Sequence, residues 1–175
     1  MPKTPPERLT LIIDRIDTPV GQVLLVTDAD GAVRALDFHD FEPRMMRLLA
    51  RHCGAFELVD GAAPAEVRDA VLSYFSGDAR ALDQVKTRTA GTAFQRAIWS
   101  ALRAIPPGQT CTYAQIAQAV GSPRAVRATG MANGQNPIAL IVPCHRVIGA
   151  NGTMTGYAGG VERKRWLLTH ERALP

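Results

Sequence analysis

Residues 92–134, "TAFQRAIWSALRAIPPGQTCTYAQIAQAVGSPRAVRATGMANG", decide how the second half of this chain folds. Thr92-Ala-Phe-Gln95 has the form of a capping box. The threonine hydroxyl accepts from the N–H three residues on, and the glutamine reaches back. Phe94, Ala97, Ile98, Ala101, Leu102 and Ile105 then recur at helical spacing and predict one buried face, until Pro106-Pro107-Gly108 stops the helix. Thr112 can cap a second helix, "YAQIAQAVG", with Ile116 and Val120 inward and Gly121 at its end. Ser122 reads as the cap of a third, with Pro123 at its first position, where a missing N–H costs nothing. Two short helices about a tight glycine turn give a helix-turn-helix outline. The second carries Arg124 and Arg127 with Ala125, Val126 and other small residues. A helix so clothed can approach a groove closely while its arginines reach phosphates or the base stack, although many such pairs only build cores.

Upstream the pattern changes. "LTLIIDRI" (9–16) and "QVLLVTD" (22–28) are short aliphatic runs on either side of a Pro19–Gly21 turn, and Asp30-Gly31 suits a hairpin into "AVRALDF" (32–38). "EPRMMRLLARHC" (42–53) and "APAEVRDAVLSYFSG" (63–77) read as helices, the second with Val67, Ala70, Val71, Tyr74 and Phe75 at helical spacing. Periodicity lapses over 78–91, which reads as a linker. The expected fold is α+β. A small N-terminal domain (1–90) has an antiparallel β-sheet and helices. A mostly α-helical C-terminal domain (91–175) holds the helix-turn-helix in a winged-helix-like arrangement.

The chain has 175 residues, enough for one large or two small cores, and 46% hydrophobic with 21% charged residues is ordinary for a globular protein. No apolar run is long enough to cross a bilayer, and the opening "MPKTPPERLT" lacks the apolar centre of a signal peptide. Three cysteines (Cys53, Cys111, Cys144) without C-x-x-C spacing argue against a disulfide framework or a zinc site, and for a reduced, cytoplasmic setting. Net charge is +4, but residues 1–90 carry 11 Lys+Arg against 14 Asp+Glu, whereas residues 91–175 carry 9 against 2, Glu162 and Glu171. An acid-poor, arginine-rich half suits a polyanion, since each cation that neutralises a phosphate releases counterions; a solubility bias without a partner is the alternative.

Further on, "IVPCHRVIGANGTMTGYAGG" (141–160) sets Cys144, His145 and Arg146 between aliphatic residues and a glycine-rich loop. Cys53 and Cys111 read as small buried hydrophobes. Cys144 differs: neighbouring positive charge favours the thiolate, which is the nucleophilic form. In an extended segment Cys144 and His145 point to opposite sides, so a proton would pass between them through a water or another partner.

"NPIALIVPCHRVIG" with "GTMTGYAGGVERKRWLLTHE", extended through "GTAFQRAIWSALRAIPPGQTCTYAQIAQAVGSPRAVRATGMANGQNP", resembles the O6-alkylguanine-DNA alkyltransferases, in their bacterial constitutive form. The likeness covers essentially residues 91–172; "PCHRV" is its most specific part, and the first ninety residues match only loosely. It implies single-turnover repair by direct reversal, with no cofactor and no metal. Cys144 takes the alkyl group of O6-alkylguanine, and O4-alkylthymine is included. His145 draws the thiol proton through a water, Glu171 orients the imidazole, and Tyr113 serves N3 of the base. The resemblance further assigns the Ala158 N–H to O6, the carbonyls of Cys144 and Val147 to the exocyclic amine, and Gly156, Tyr157 and Gly159 to the base slot. Asn136 ties the helix-turn-helix to the reactive turn. Arg127 fills the stack after nucleotide flipping, with Arg124, Ala125 and Val126 in the minor groove of double-stranded DNA.

The residues leave other readings open at this stage. Tyr113 can be a packing residue, and the glycines plain turn formers. Arg163-Lys164-Arg165 reads as a solvated helix face, with phosphate contact as the alternative. A monomer that can cluster on DNA, away from membranes, is expected. Two other functions compete: an alkyltransferase-like lesion sensor, which typically lacks the cysteine, and a helix-turn-helix regulator, which leaves "PCHRV" and Glu171 unexplained.

Overall fold

The computed structural model describes residues 7–174; the reading of the opening stretch at residues 1–6 lies outside them. Strands β1 (Leu9–Ile16), β2 (Val23–Thr27) and β3 (Val33–Phe38) form an antiparallel meander, with Gly31 at φ +79° in the β2–β3 turn. Helix α1 (Glu42–Cys53) follows, then β4 (Phe56–Asp60), α2 (Ala65–Phe75) and α3 (Ala93–Arg103). The sheet order is β3-β2-β1-β4, and β4 runs parallel to β1, so the sheet is mixed rather than purely antiparallel. The cause is the crossover: α1 carries the chain back across the sheet, so β4 enters in the direction of β1. "FELVD" (56–60), a half-exposed edge strand, gave no clear period of its own.

All five residues of β2 are buried because both faces of the sheet are covered, which explains its unbroken apolar run. Leu24 and Val26 join Leu11, Ile13 and Ala35 beneath Met45 and Leu49 of α1. Val23, Leu25, Leu36 and Phe38 face the other way, into a core shared with Ile98, Trp99, Leu102, Ile138 and Leu167. Residues 78–91 run against this body. Val33 donates to the carbonyl of Lys86 and its own carbonyl accepts from Arg88, while Leu82 and Val85 are buried.

In the second half the Thr92 box is closed in both directions (3.1 and 2.9 Å), and Thr112 forms a second with Gln115 (3.2 and 2.8 Å). Within α3 the buried face is Ile98, Trp99 and Leu102; Ala97 is exposed, and Trp99 takes the inward place, donating Nε1–H to the carbonyl of Ala132 (2.9 Å). Strand β5 (Cys111–Thr112) leads into α4 (Tyr113–Ala119), and α5 spans Val126–Gly134. The expected start of α5 at Ser122-Pro123 is not where the helix begins: the carbonyl of Ser122 accepts from Ala125 N–H in a turn, and Ala125 is the N-cap. Arg124 therefore sits in the turn. Strand β6 (Val147–Ile148) pairs in parallel with β5, and α6 (Val161–His170) closes the fold. No helix among the described residues is long and apolar enough to cross a membrane.

Candidate active site and nucleic-acid interface

Residues 136–147 are buried without a break, and backbone bonds explain how polar residues came to lie there. Asn136 acts as a staple: its Oδ1 accepts from Ile138 N–H (3.0 Å) and its Nδ2 donates to the carbonyl of Val142 (2.8 Å). The segment is also sewn to β3, through Leu36 N–H to Pro137 and Ala139 N–H to Leu36. Cys144, His145 and Arg146 then form one 3-10 turn, not an extended stretch. At three residues per turn, neighbouring side chains diverge by about 120°, so Cys144 and His145 still do not face each other.

The strongest polar constellation centres on Glu171, just past the end of α6. Its Oε1 accepts from His145 Nε2–H (2.8 Å), Tyr74 Oη–H (2.7 Å) and Arg146 Nη2–H (2.9 Å), while Oε2 accepts from Arg146 Nε–H (2.9 Å). Burial pushes this carboxyl up, but the His145 N–H and the Arg146 guanidinium outweigh it and hold Glu171 well below the carboxylate range. A carboxylate only accepts, so the His145 proton sits on Nε2 and leaves a lone pair on Nδ1. That Nδ1 is buried and has no partner among the described residues. Burial, against the pull of Glu171, holds the imidazole below its ordinary value and neutral.

Cys144 itself is only 4% exposed. Burial raises its thiol above the ordinary value; the Asn136 side chain and the charges of Arg44 and Lys164 oppose this without reversing it. The expectation of a resting thiolate is thus corrected: in the free protein the desolvation of a sealed sulfur exceeds the help from nearby cations. A cleft of about 220 Å³ lies beside Pro143 and Arg146, and another of about 590 Å³ lies between Phe41, Gly159 and Trp166; neither is lined by Cys144.

The remaining residues gather around this turn. The β5–β6 pairing sets Cys111 opposite Val147 and Thr112 opposite Ile148, Tyr113 follows at once as the first residue of α4, and its hydroxyl shares a hydrogen bond with Thr155 Oγ1 (3.0 Å). The Val147 carbonyl accepts from Lys164 Nζ (2.5 Å), and the Cys144 carbonyl accepts from Val147 N–H. Tyr157 packs edge-on to His145 and Phe38, with its hydroxyl buried and unpartnered among the described residues. Ala158 is half-buried and Gly156 exposed. Gly159 has a reason the sequence concealed: a Cβ there would lie 2.6 Å from the Phe38 ring and 2.8 Å from that of Tyr157. Arg124, Val126 and Arg127 are exposed around the start of α5, with Ala125 half-buried. The solvated face expected for 163–165 holds only for Arg165. Arg163 lies over Phe38 (4.5 Å) and pairs with Asp40 (2.8 Å), and Lys164 is buried.

Residues 93–173 match the model of the 6-O-methylguanine DNA methyltransferase DNA-binding domain. A methylated-DNA–protein-cysteine methyltransferase of Salmonella typhimurium is 49% identical over 166 residues, covering 93% of this chain and 96% of its own. The chain belongs to this methyltransferase family. A family relative from Methanosarcina acetivorans is 42% identical over 160 residues, covering 89% of this chain and 94% of its own. The structure of Mycobacterium tuberculosis OGT in complex with DNA superposes with a TM-score of 0.76 at 38% identity, covering 94% of both chains. The fold is α+β as expected, and the activity is repair of DNA by transfer of a methyl group to a cysteine of the protein itself. Sequence reasoning missed two groups around the methyltransferase's carboxylate. In the sequence Arg146 reads only as a charge near the thiol and Tyr74 only as a helix-face residue; the single cue to either is that Glu171 is one of two acids in the basic half.

Proposed function

We propose that this methyltransferase takes its alkyl group from O6 of a guanine everted out of duplex DNA, and that Cys144 is the acceptor. One observation carries the reading: His145, next to Cys144 in a buried turn, has Nε2 held by Glu171 and a lone pair left on Nδ1. That is the arrangement of a general base. Nδ1 draws the thiol proton through a water, and the sulfur attacks the alkyl carbon. The carbon–oxygen bond breaks, its electron pair stays with the guanine, and protonation of the base restores it. Tyr113 exchanges its bond to Thr155 for N3 of the purine and relieves the charge left there. The Ala158 N–H faces O6, and each of the Cys144 and Val147 carbonyls uses its second lone pair on the exocyclic amine.

A stacked base cannot reach the sulfur, so the nucleotide flips, and the loop at 149–160 yields as it enters. Arg127 fills the gap while α5 lies in the minor groove, with Ala125 and Val126 in contact with the groove and Arg124 beside them. Residues 91–175 carry DNA and chemistry, and residues 1–90 form a supporting domain. The protein acts as a cytoplasmic monomer without a cofactor, and takes O4-alkylthymine as well. A lesion sensor is disfavoured because Cys144 is present. The test is intact-mass spectrometry with peptide mapping after mixing with an oligonucleotide containing O6-methylguanine. One added methyl per protein, on Cys144, is expected; a methyl on Cys53 or Cys111, or binding without modification, overturns the assignment.

A further inference from the structure

Tyr74 lies in α2, outside the residues that match the family's DNA-binding domain, yet its hydroxyl is within 2.7 Å of Glu171 Oε1. Its side chain is fully buried, and burial with the neighbouring carboxylate pushes the phenol well above its ordinary value, so it can only donate here. The backbone of the same residue makes a second bond: its carbonyl accepts from His170 Nε2–H (2.6 Å). Tyr74 thus grips two successive residues at the end of α6.

The need for such a grip follows from where Glu171 stands. It is the residue after the last turn, and Arg172 already turns left-handed (φ +61°). Helix ends fray, because their last groups have no partner one turn on. Arg146 binds both carboxylate oxygens, but it belongs to the same short turn as His145, and its Nη1 is given to the Ile105 carbonyl (2.7 Å). Among the described residues, Tyr74 is the one side chain outside the 144–146 turn that bonds the Glu171 carboxylate. We infer that Tyr74 is a positioning residue for the transfer reaction, through which the N-terminal half holds Glu171 against His145 and so keeps the lone pair of Nδ1 aimed as a base.

This rests on the alkyl-transfer reading of Cys144, and the experiment separates the two. Single-turnover transfer from O6-methylguanine DNA is followed for wild type, Tyr74→Phe, Phe75→Leu, Glu171→Gln and the double variant Tyr74→Phe/Glu171→Gln. Phe75 touches Trp166 and His170 but is not bonded to Glu171, so it reports loosening of the same α2–α6 contact without loss of the hydroxyl. Tyr74→Phe should slow transfer about tenfold, the weight of one charge-assisted hydrogen bond, while the protein stays folded with its melting temperature lowered by only a few degrees. Phe75→Leu should slow it far less. In the Glu171→Gln background the hydroxyl should no longer matter, and the ¹⁵N shifts of His145 should show a mixed tautomer in Tyr74→Phe. A full rate in Tyr74→Phe, an equal loss in Phe75→Leu, or an additive loss in the double variant overturns the inference. No methyl on wild-type Cys144 defeats instead the assignment on which it rests.

Discussion

At Cys144 opposing effects act on one proton. Burial favours the neutral thiol; the Asn136 amide and the charges of Arg44 and Lys164 favour the thiolate, and burial prevails. A raised value means that the thiolate fraction at neutral pH lies below that of an ordinary thiol at 9.0. The free protein should therefore alkylate slowly at Cys144 with iodoacetamide at pH 7.5, and the rate should climb with a midpoint above pH 9. A midpoint at or below 7.5 in the absence of DNA would contradict this. If Cys144 is the acceptor proposed above, this burial would serve selectivity, because a neutral, water-excluded thiol is a poor nucleophile toward casual electrophiles.

At the scale of elements, α5 owes its place to its neighbours more than to its own sequence. Thr129 and Ala132 face inward, and Met131 and Arg127 are left in solvent. The Thr112 box fixes where α4 starts, and α4 opens with Tyr113, whose hydroxyl meets Thr155. Arg127→Ala leaves the buried turn untouched, so its cost should depend on the nucleic acid. Repair of a duplex lesion should slow at least about tenfold, and repair of the same lesion in a single strand, already unstacked, should change little. Single-turnover rates on both substrates check this, and equal losses would remove Arg127 from base extrusion. Binding should also lose about one ion from its salt dependence.

Over the whole molecule the site is a junction. Tyr74 comes from α2, His145 and Arg146 from the central turn and Glu171 from the end of α6, so protonation there is linked to folding. Burial lowers His145 below the imidazole value of 6.5, and it lowers His52 in the same direction, aided by Arg51. Glu171 lies well below 4.5. For all three the unfolded chain binds more protons, so stability is complete above the unfolded value and is lost as pH falls. Urea midpoints should decline from about pH 6.5 downward through the histidines, and again below about pH 4.5 through Glu171. In His145→Gln the first decline should shrink; a midpoint that rises from pH 7 to pH 5 would refute the linkage.

The sequence by itself determined what local chemistry can write. Thr92 and Thr112 each begin a helix because a hydroxyl and a glutamine three residues on satisfy free N–H groups within one turn. The β2–β3 hairpin follows from Asp30-Gly31, whereas the 3-10 turn at Cys144–Arg146 stands where the sequence suggested an extended segment. Only the tertiary structure decided the rest. The direction of β4 depends on a crossover, and the closeness of Gly159 to Phe38 depends on a strand 121 residues away. The protonation of Cys144 and the bond from Tyr74 to Glu171, across 97 residues, depend on which groups are sealed from water together. Electrostatics and close packing act through space, and distance through space is what a linear pattern of residues does not contain.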